Sequence, residues 1–207
     1  MESREVDPVD WWMARHISGK IGYLGNSAGV SAWTFLEVRD LIKPEAVILN
    51  VGVGTGRCTQ DLKDQGVVEI HALDIVKPAL DRVRGVIKKG YLTPDDLPAD
   101  TFDLIVSYLV AQYMDDAILQ LHIGHYVRSL KSDGVLALQF RDVDGAIVEG
   151  QGSEIQNIGM IHRTSESVLG MVESVGGSLL KWVASRRVVS KSDALDTLLH
   201  GIQIVRT

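Results

Sequence analysis

Short apolar runs alternate along this chain with longer stretches whose apolar positions recur every three or four residues. The runs at 46–51, 67–73, 102–107 and 134–140 are rich in valine, isoleucine and leucine and end in turn residues. That is the pattern of strands buried on both faces. A brief run at 89–92 and two late ones at 178–189 and 199–206 bring the predicted strands to seven. Between them, 57–65, 77–86, 116–131 and 164–175 have helical periodicity. The alternation predicts a mostly parallel, doubly wound α/β sheet with helices on both faces. No good helical spacer separates the last two strands, so a terminal antiparallel pair is expected.

Ahead of the first strand, Trp33, Leu36, Val38 and Leu41 predict a helix packed beside the sheet and ended by Pro44. Residues 22–29, GYLGNSAG, read as a glycine-rich hinge of the kind found in lids. The connection from Arg141 to Arg163 is long for its class and leaves the carboxyl end of a strand, where open sheets bind ligands. At 207 residues the chain suits one domain better than two. Residues 1–45 are expected to be a helical lid and 46–207 a binding core.

The most specific chemistry lies at VILNVGVGTGRCTQDL, residues 47–62. A strand runs into Gly52, Gly54 and Gly56, a helix follows, and the next strand ends in Asp74. Strand, glycine turn, helix, strand and acid form the pattern that binds an adenosine-type cofactor. Asp74 is positioned to accept from ribose hydroxyls, and Ile75 to lie against the adenine; the alternative for Asp74 is a cap on the helix beginning at Lys77. A dinucleotide fingerprint needs glycine at position 57, but Arg57 stands there. The G-x-G-x-G spacing suits a cofactor without phosphates and argues against a nicotinamide-dependent oxidoreductase.

Asn50-Val-Gly52-Val-Gly54-Thr-Gly56 resembles the acid-x-G-x-G-x-G stretch of the class I S-adenosylmethionine-dependent methyltransferases, with Asn50 at the position of the acid. FDLIVS, SYLVAQYMDD, VRSLKSDGVLALQF and HRTSESVLGMVESVGG follow in that family's order, so the resemblance runs over roughly 45–207. It implies a Rossmann-like fold, S-adenosylmethionine as cofactor and S-adenosylhomocysteine as product. Asn50 is expected to orient the loop and bond the cofactor's amino group. Asp95 or Asp96 would accept from the adenine amino group with Leu97 on the ring, the other reading being turn residues after Pro94. Ser107, Tyr108, Gln112 and Tyr113 would line the methyl-donor site.

Catalytic candidates are Tyr113, which orients a nucleophile or acts as a base, the other reading being core packing or positioning, and His162, because histidine as a residue type titrates near neutrality. Substrate candidates are His16 in the lid, Tyr108, Arg141 and Arg163. His122 and His125 are i,i+3 neighbours without a third metal ligand at a convincing spacing, so no metal is expected and an exposed helix face is the reading. Cys58 reads as a small packing residue.

Charge narrows the partners. The net charge is −6, and Arg82, Arg84, Lys88, Lys89, Arg186 and Arg187 are not interleaved with aromatics. They read as solvated faces, so no nucleic acid is expected. No apolar run reaches the ~20 residues of a membrane span, and the acidic MESREVDPVD is not a signal peptide. With one cysteine, a cytoplasmic setting is expected. The sequence thus points to a methyltransferase acting on oxygen or nitrogen of a sugar-derived molecule or secondary metabolite, with a homodimer compatible. The alternative is a non-catalytic S-adenosylmethionine-binding protein or the regulatory subunit of an active methyltransferase.

Overall fold

The computed structural model describes residues 7–19, 31–142, 161–188 and 197–206. Seven strands, β1 (Val47–Val51), β2 (Glu69–Leu73), β3 (Lys89–Tyr91), β4 (Phe102–Ser107), β5 (Leu130–Asp142), β6 (Gly177–Val188) and β7 (Thr197–Arg206), form one sheet. Their order is β3-β2-β1-β4-β5-β7-β6. The first five are parallel, and β7 lies between β5 and β6, antiparallel to both. The expected doubly wound sheet with a terminal antiparallel element is present.

The helices are α1 (Pro8–Ile17), α2 (Ala32–Phe35), α3 (Arg57–Asp64), α4 (Lys77–Val83), α5 (Asp116–Ser129) and α6 (Ser165–Ser174). Their starts follow local chemistry. Asp115 accepts from Ile118 N at 2.8 Å to open α5, and Thr164 accepts from Ser167 N at 3.1 Å to open α6. Strand alternation sends Leu49, Ile105, Leu136 and Leu138 to the face covered by α5 and α6. Ile48, Leu104, Val106 and Ala137 go to the other face, against Trp33, Phe35, Leu36 and Leu62. Both faces are dry, which is why the strands are continuously apolar. Strand order reverses at β1, with β2 on one side and β4 on the other, so a crevice opens at their carboxyl ends.

Three kinds of expectation are corrected. The helix read through Trp33, Leu36, Val38 and Leu41 is the four-residue α2, a break at Glu37 with φ 53°, and a 3-10 turn at Arg39–Leu41. Tertiary bonds outcompete the helix there: Gln203 donates to Leu36 O at 2.9 Å and Glu37 O at 3.1 Å, and Lys181 pairs with Glu37. Helix α4 ends at Val83 instead of 86, and β5 begins at Leu130 instead of 134. The hinge at 22–29 and most of the 141–163 connection lie outside the described residues.

The third correction concerns α5. His122 is 8% exposed, and its Nδ1 lies 2.9 Å from the hydroxyl of the fully buried Tyr126. His125 pairs with Asp95 at 3.0 Å, tying α5 to the turn at Pro94–Asp96. Burial, then the neighbouring His125, push His122 down to about 4, against a raising pull from Asp95. Between that value and the ordinary imidazole pKa the unfolded chain binds more protons than the folded one. Stability is therefore full above about pH 6.5 and falls as pH drops toward 4, by about 3 kcal/mol from this residue. Urea unfolding at pH 7.5 and pH 5 should show the loss, and His122→Gln should flatten it. An equal loss in both proteins would remove His122 as its source.

Candidate functional site

The glycine loop leaves β1 in left-handed steps, with φ +73° at Gly52, +54° at Gly54 and +85° at Gly56. Two of these glycines are enforced by packing. A Cβ on Gly52 would meet Val110 Cγ2 at 2.2 Å, and one on Gly56 would meet Val83 Cγ1 at 2.9 Å. Gly54 differs: among the described residues, no atom lies within 4 Å of where its Cβ would be. The loop is pinned by Gly52 N–H to Leu73 O at 2.8 Å and Gly56 N–H to Val53 O at 2.8 Å. Asn50 is buried on β1, and its Nδ2 donates to Thr59 Oγ1 of α3 at 3.0 Å. It positions the loop through α3, and this amide hydrogen bond is not directed at a ligand.

Asp74 closes the other side of the crevice. Its Oδ2 accepts from Val53 N at 2.8 Å and Gly54 N at 3.3 Å, and its Oδ1 from Val76 N at 3.1 Å. Burial pushes its carboxyl above the usual range, opposed by the N–H bonds from Val76, Gly54 and Val53 and by His16. A carboxylate offers about four acceptor positions, and three are taken. The residue therefore organises the loop and retains one acceptor position. It is not the cap of α4, whose N-cap is Val76. Beside it, Ile75 is an exposed large apolar side chain.

Helix α1 crosses this crevice. Arg82 of α4 reaches over the loop, its Nη1 donating to Gly54 O at 2.7 Å and to His16 Nδ1 at 3.2 Å. It is solvent-exposed, as expected from the sequence, and it also ties α4 to the loop and to α1. A guanidinium cannot accept, so His16 Nδ1 is the acceptor and carries no proton. Burial lowers the His16 pKa, Asp74 raises it and Arg82 lowers it again. The imidazole is neutral with that lone pair engaged, which makes Nδ1 a poor base. One turn earlier on the same face, Trp12 meets Tyr113 edge-on with centroids 5.2 Å apart. The helix thus spans from Asp74 to Tyr113, as a lid would.

The segment after β4 forms the remaining wall. Ser107 is buried at the end of β4, and Tyr108 packs on Phe35 at 5.7 Å. Leu109 takes φ 61° and donates its N–H to Gln139 Oε1 at 2.7 Å. Ile161 N donates to Gln112 O at 2.7 Å and Arg163 N to Arg141 O at 2.8 Å, which gathers the backbones of His162, Arg141 and Tyr113 in one region.

Two expected ligand contacts are not available. Arg163 is 2% exposed, and its guanidinium donates to Asp116 Oδ1 at 2.7 Å, to Ala111 O at 3.0 Å and to Met114 O. It holds the wall from behind. Leu97 is a core side chain packed with Phe102 and Tyr91, while Asp96 is exposed on its 3-10 turn. Trp12, Arg82 and Gln139 were missed by sequence reasoning; the i,i+4 spacing of Trp12 and His16 was the available signal for the first. Among the described residues, no group of three His, Cys, Asp or Glu side chains is placed to hold a metal ion, and no helix is long and apolar enough to cross a membrane.

Residues 49–138, from β1 to β5, match the methyltransferase-domain family. That match, together with the fold, supports the resemblance of this chain to the class I S-adenosylmethionine-dependent methyltransferases. Its fold is similar to a Burkholderia thailandensis 1,6-didemethyltoxoflavin-N1-methyltransferase solved with 1,6-didemethyltoxoflavin and S-adenosylhomocysteine. That TM-score is 0.72 at 17% identity, over 99% of this chain and 93% of the other. A Leishmania major S-adenosylmethionine-dependent methyltransferase gives 0.69 at 19% identity, over 94% and 80%. The Rattus norvegicus protein named mitochondrial arginine-hydroxylase NDUFAF5 is 33% identical over 103 residues. That stretch is 47% of this chain and 29% of the rat protein.

Proposed function

We propose that this chain binds S-adenosylmethionine in the Gly52–Gly56 cradle and transfers its methyl group to nitrogen or oxygen of a small molecule. The observation that carries the reading is Gly54. It holds a left-handed φ with empty space at its Cβ position, beside an Asp74 that retains an acceptor position. The left-handed φ requires a glycine here, and its missing side chain leaves room for a ligand to come close. When bound, the cofactor supplies a sulfonium-activated methyl carbon; the chain's residues supply alignment and exclusion of water. Asp74 and Ile75 would hold ribose and adenine, and α1 would cover the site through His16 and Trp12.

A small acceptor is supported by the net charge of −6, which disfavours nucleic acid. It is also supported by the small heteroaromatic named for the Burkholderia structure. The reading includes a cytoplasmic setting, supported by the single cysteine. A second reading, a cofactor-binding subunit of an active methyltransferase, is favoured by the engagement of Asn50 with Thr59 where an acid is usual.

Calorimetric titration with S-adenosylmethionine and S-adenosylhomocysteine tests the site. Asp74→Ala should weaken both by more than about tenfold, because the loop N–H groups of Val53 and Gly54 lose their anchor along with the hydroxyl acceptor. Native binding at millimolar strength or weaker would sink the methyl-transfer reading. Tight binding without turnover on any acceptor would favour the second.

A further inference from the structure

The wall facing the cradle carries information about the acceptor, given the methyl-transfer reading on which this rests. Residues 108–114, Tyr-Leu-Val-Ala-Gln-Tyr-Met, include no charged side chain. Much of their polar capacity is turned into the protein. Leu109 N–H goes to Gln139, Ala111 O and Met114 O take Arg163, and Gln112 O takes Ile161 N–H. The Gln112 side chain is 2% exposed. The wall abuts the glycine loop, since Val110 fills the space beside Gly52.

What this wall and the lid present to each other is aromatic. Trp12 and Tyr113 are both partly exposed and stand at 81° with centroids 5.2 Å apart, forming a corner. Trp11 backs Trp12 edge-on at 4.6 Å and is itself covered by the Arg15 guanidinium at 4.1 Å. The cation is thus stacked away on Trp11, while Trp12 packs on an uncharged tyrosine. A corner of two rings takes a flat ring by stacking on one wall and edge contact with the other. A sugar would need hydrogen-bond partners along the wall, and the backbone groups there are largely engaged.

We propose that the acceptor is an uncharged, planar heteroaromatic ring seated in the Trp12–Tyr113 corner and methylated at a ring nitrogen. A ring nitrogen brings its own lone pair. That pair forms the new nitrogen–carbon bond as the sulfonium's sulfur–carbon bond breaks and its electrons pass to sulfur. A proton on the nitrogen, where there is one, then leaves to water. Trp12 is the specificity-determining residue and Tyr113 its partner wall.

The test uses the full chain saturated with S-adenosylhomocysteine. Quinazolin-4-one, lumazine and methyl α-glucoside are titrated calorimetrically, with saturation-transfer NMR to read ring contact. At least one ring compound should bind and the glucoside should not. Trp12→Ala should weaken the ring by roughly 10- to 100-fold, the loss that removal of one stacking partner brings, and Trp12→Phe should restore most of it. S-Adenosylhomocysteine affinity, measured on each variant, reports that the cradle is still folded. The proposal is overturned if the glucoside binds better than both rings, if Trp12→Ala keeps its ring affinity, or if neither ring binds the loaded chain. Failure of the native chain to bind S-adenosylhomocysteine would overturn the methyl-transfer reading itself.

Discussion

Gly52→Ala and Gly54→Ala should separate stability from binding. The Gly52 variant will unfold roughly 5–20 °C below the native chain, and the Gly54 variant roughly 2–8 °C below it. The reasoning starts from the same backbone penalty, since both residues have positive φ, where a Cβ costs roughly 1–2 kcal/mol. At Gly52 that Cβ also lands 2.2 Å from Val110 Cγ2. Val110 is β-branched and stiff, and it follows Leu109, whose own left-handed φ is held by Gln139. Relief must come from moving the segment after β4, which adds about 1–3 kcal/mol of overpacking. At Gly54 there is nothing among the described residues to strike. Its alanine should nevertheless lose more than about tenfold in S-adenosylhomocysteine affinity, because the methyl group occupies the ligand's approach. Differential scanning fluorimetry and calorimetry on the pair decide this. A Gly54→Ala chain that binds as tightly as the native one would move the ligand away from this loop.

The second large effect is expected at a residue that looks dispensable. Asp116 has a side chain 66% exposed, and substitutions at such positions normally change stability by less than about 0.5 kcal/mol. Here its partner is a guanidinium whose own side chain is 2% exposed. Asp116→Ala leaves that charge buried with carbonyl dipoles alone, at a cost of about 3 kcal/mol. Asp116→Asn keeps an acceptor oxygen and should cost about 1 kcal/mol. Arg163→Met removes the charge but strands Ala111 O and Met114 O, again about 2–4 kcal/mol. The double variant should therefore be no less stable than Arg163→Met alone, the sign of direct coupling. Urea unfolding supplies the energies, and hydrogen exchange should show faster opening of 108–116 in each single variant. Additive losses would mean that the pair does not act as a unit.

Periodic, self-contained signals were legible in the sequence. The continuous apolar runs of β1 and β4, the glycine spacing and Asp74 after β2 placed the sheet and the cradle, because each depends on neighbours a few residues away. What could not be read depends on partners distant in the chain. The helix expected across 33–41 breaks because Gln203, some 160 residues later, binds its carbonyls. Arg163 reads as a substrate contact until the fold brings Ala111 and Asp116 to it. Arg82 is exposed, as its charge predicts, but its bonds to Gly54 O and His16 depend on where the fold lays α1. Leu97 shows the same limit from the apolar side, since a leucine that packs on a ligand and one that fills a core have the same letter.

The placement of β7 between β5 and β6 has a consequence for how the chain assembles. β6 is made before the strand that joins it to the sheet, so it cannot dock until β7 has been synthesised. Until then β5 presents an unpaired edge, including Leu136, Leu138 and Phe140, which β7 later covers in register with Ile204, Ile202 and His200. An open apolar edge is a template for another chain. The long-range pairing that closes it is also intrinsically slow to form. The vulnerable interval in the life of this protein is thus the one between completion of β5 and arrival of β7. Truncation within 197–206 would make that interval permanent and trade a folded chain for aggregation.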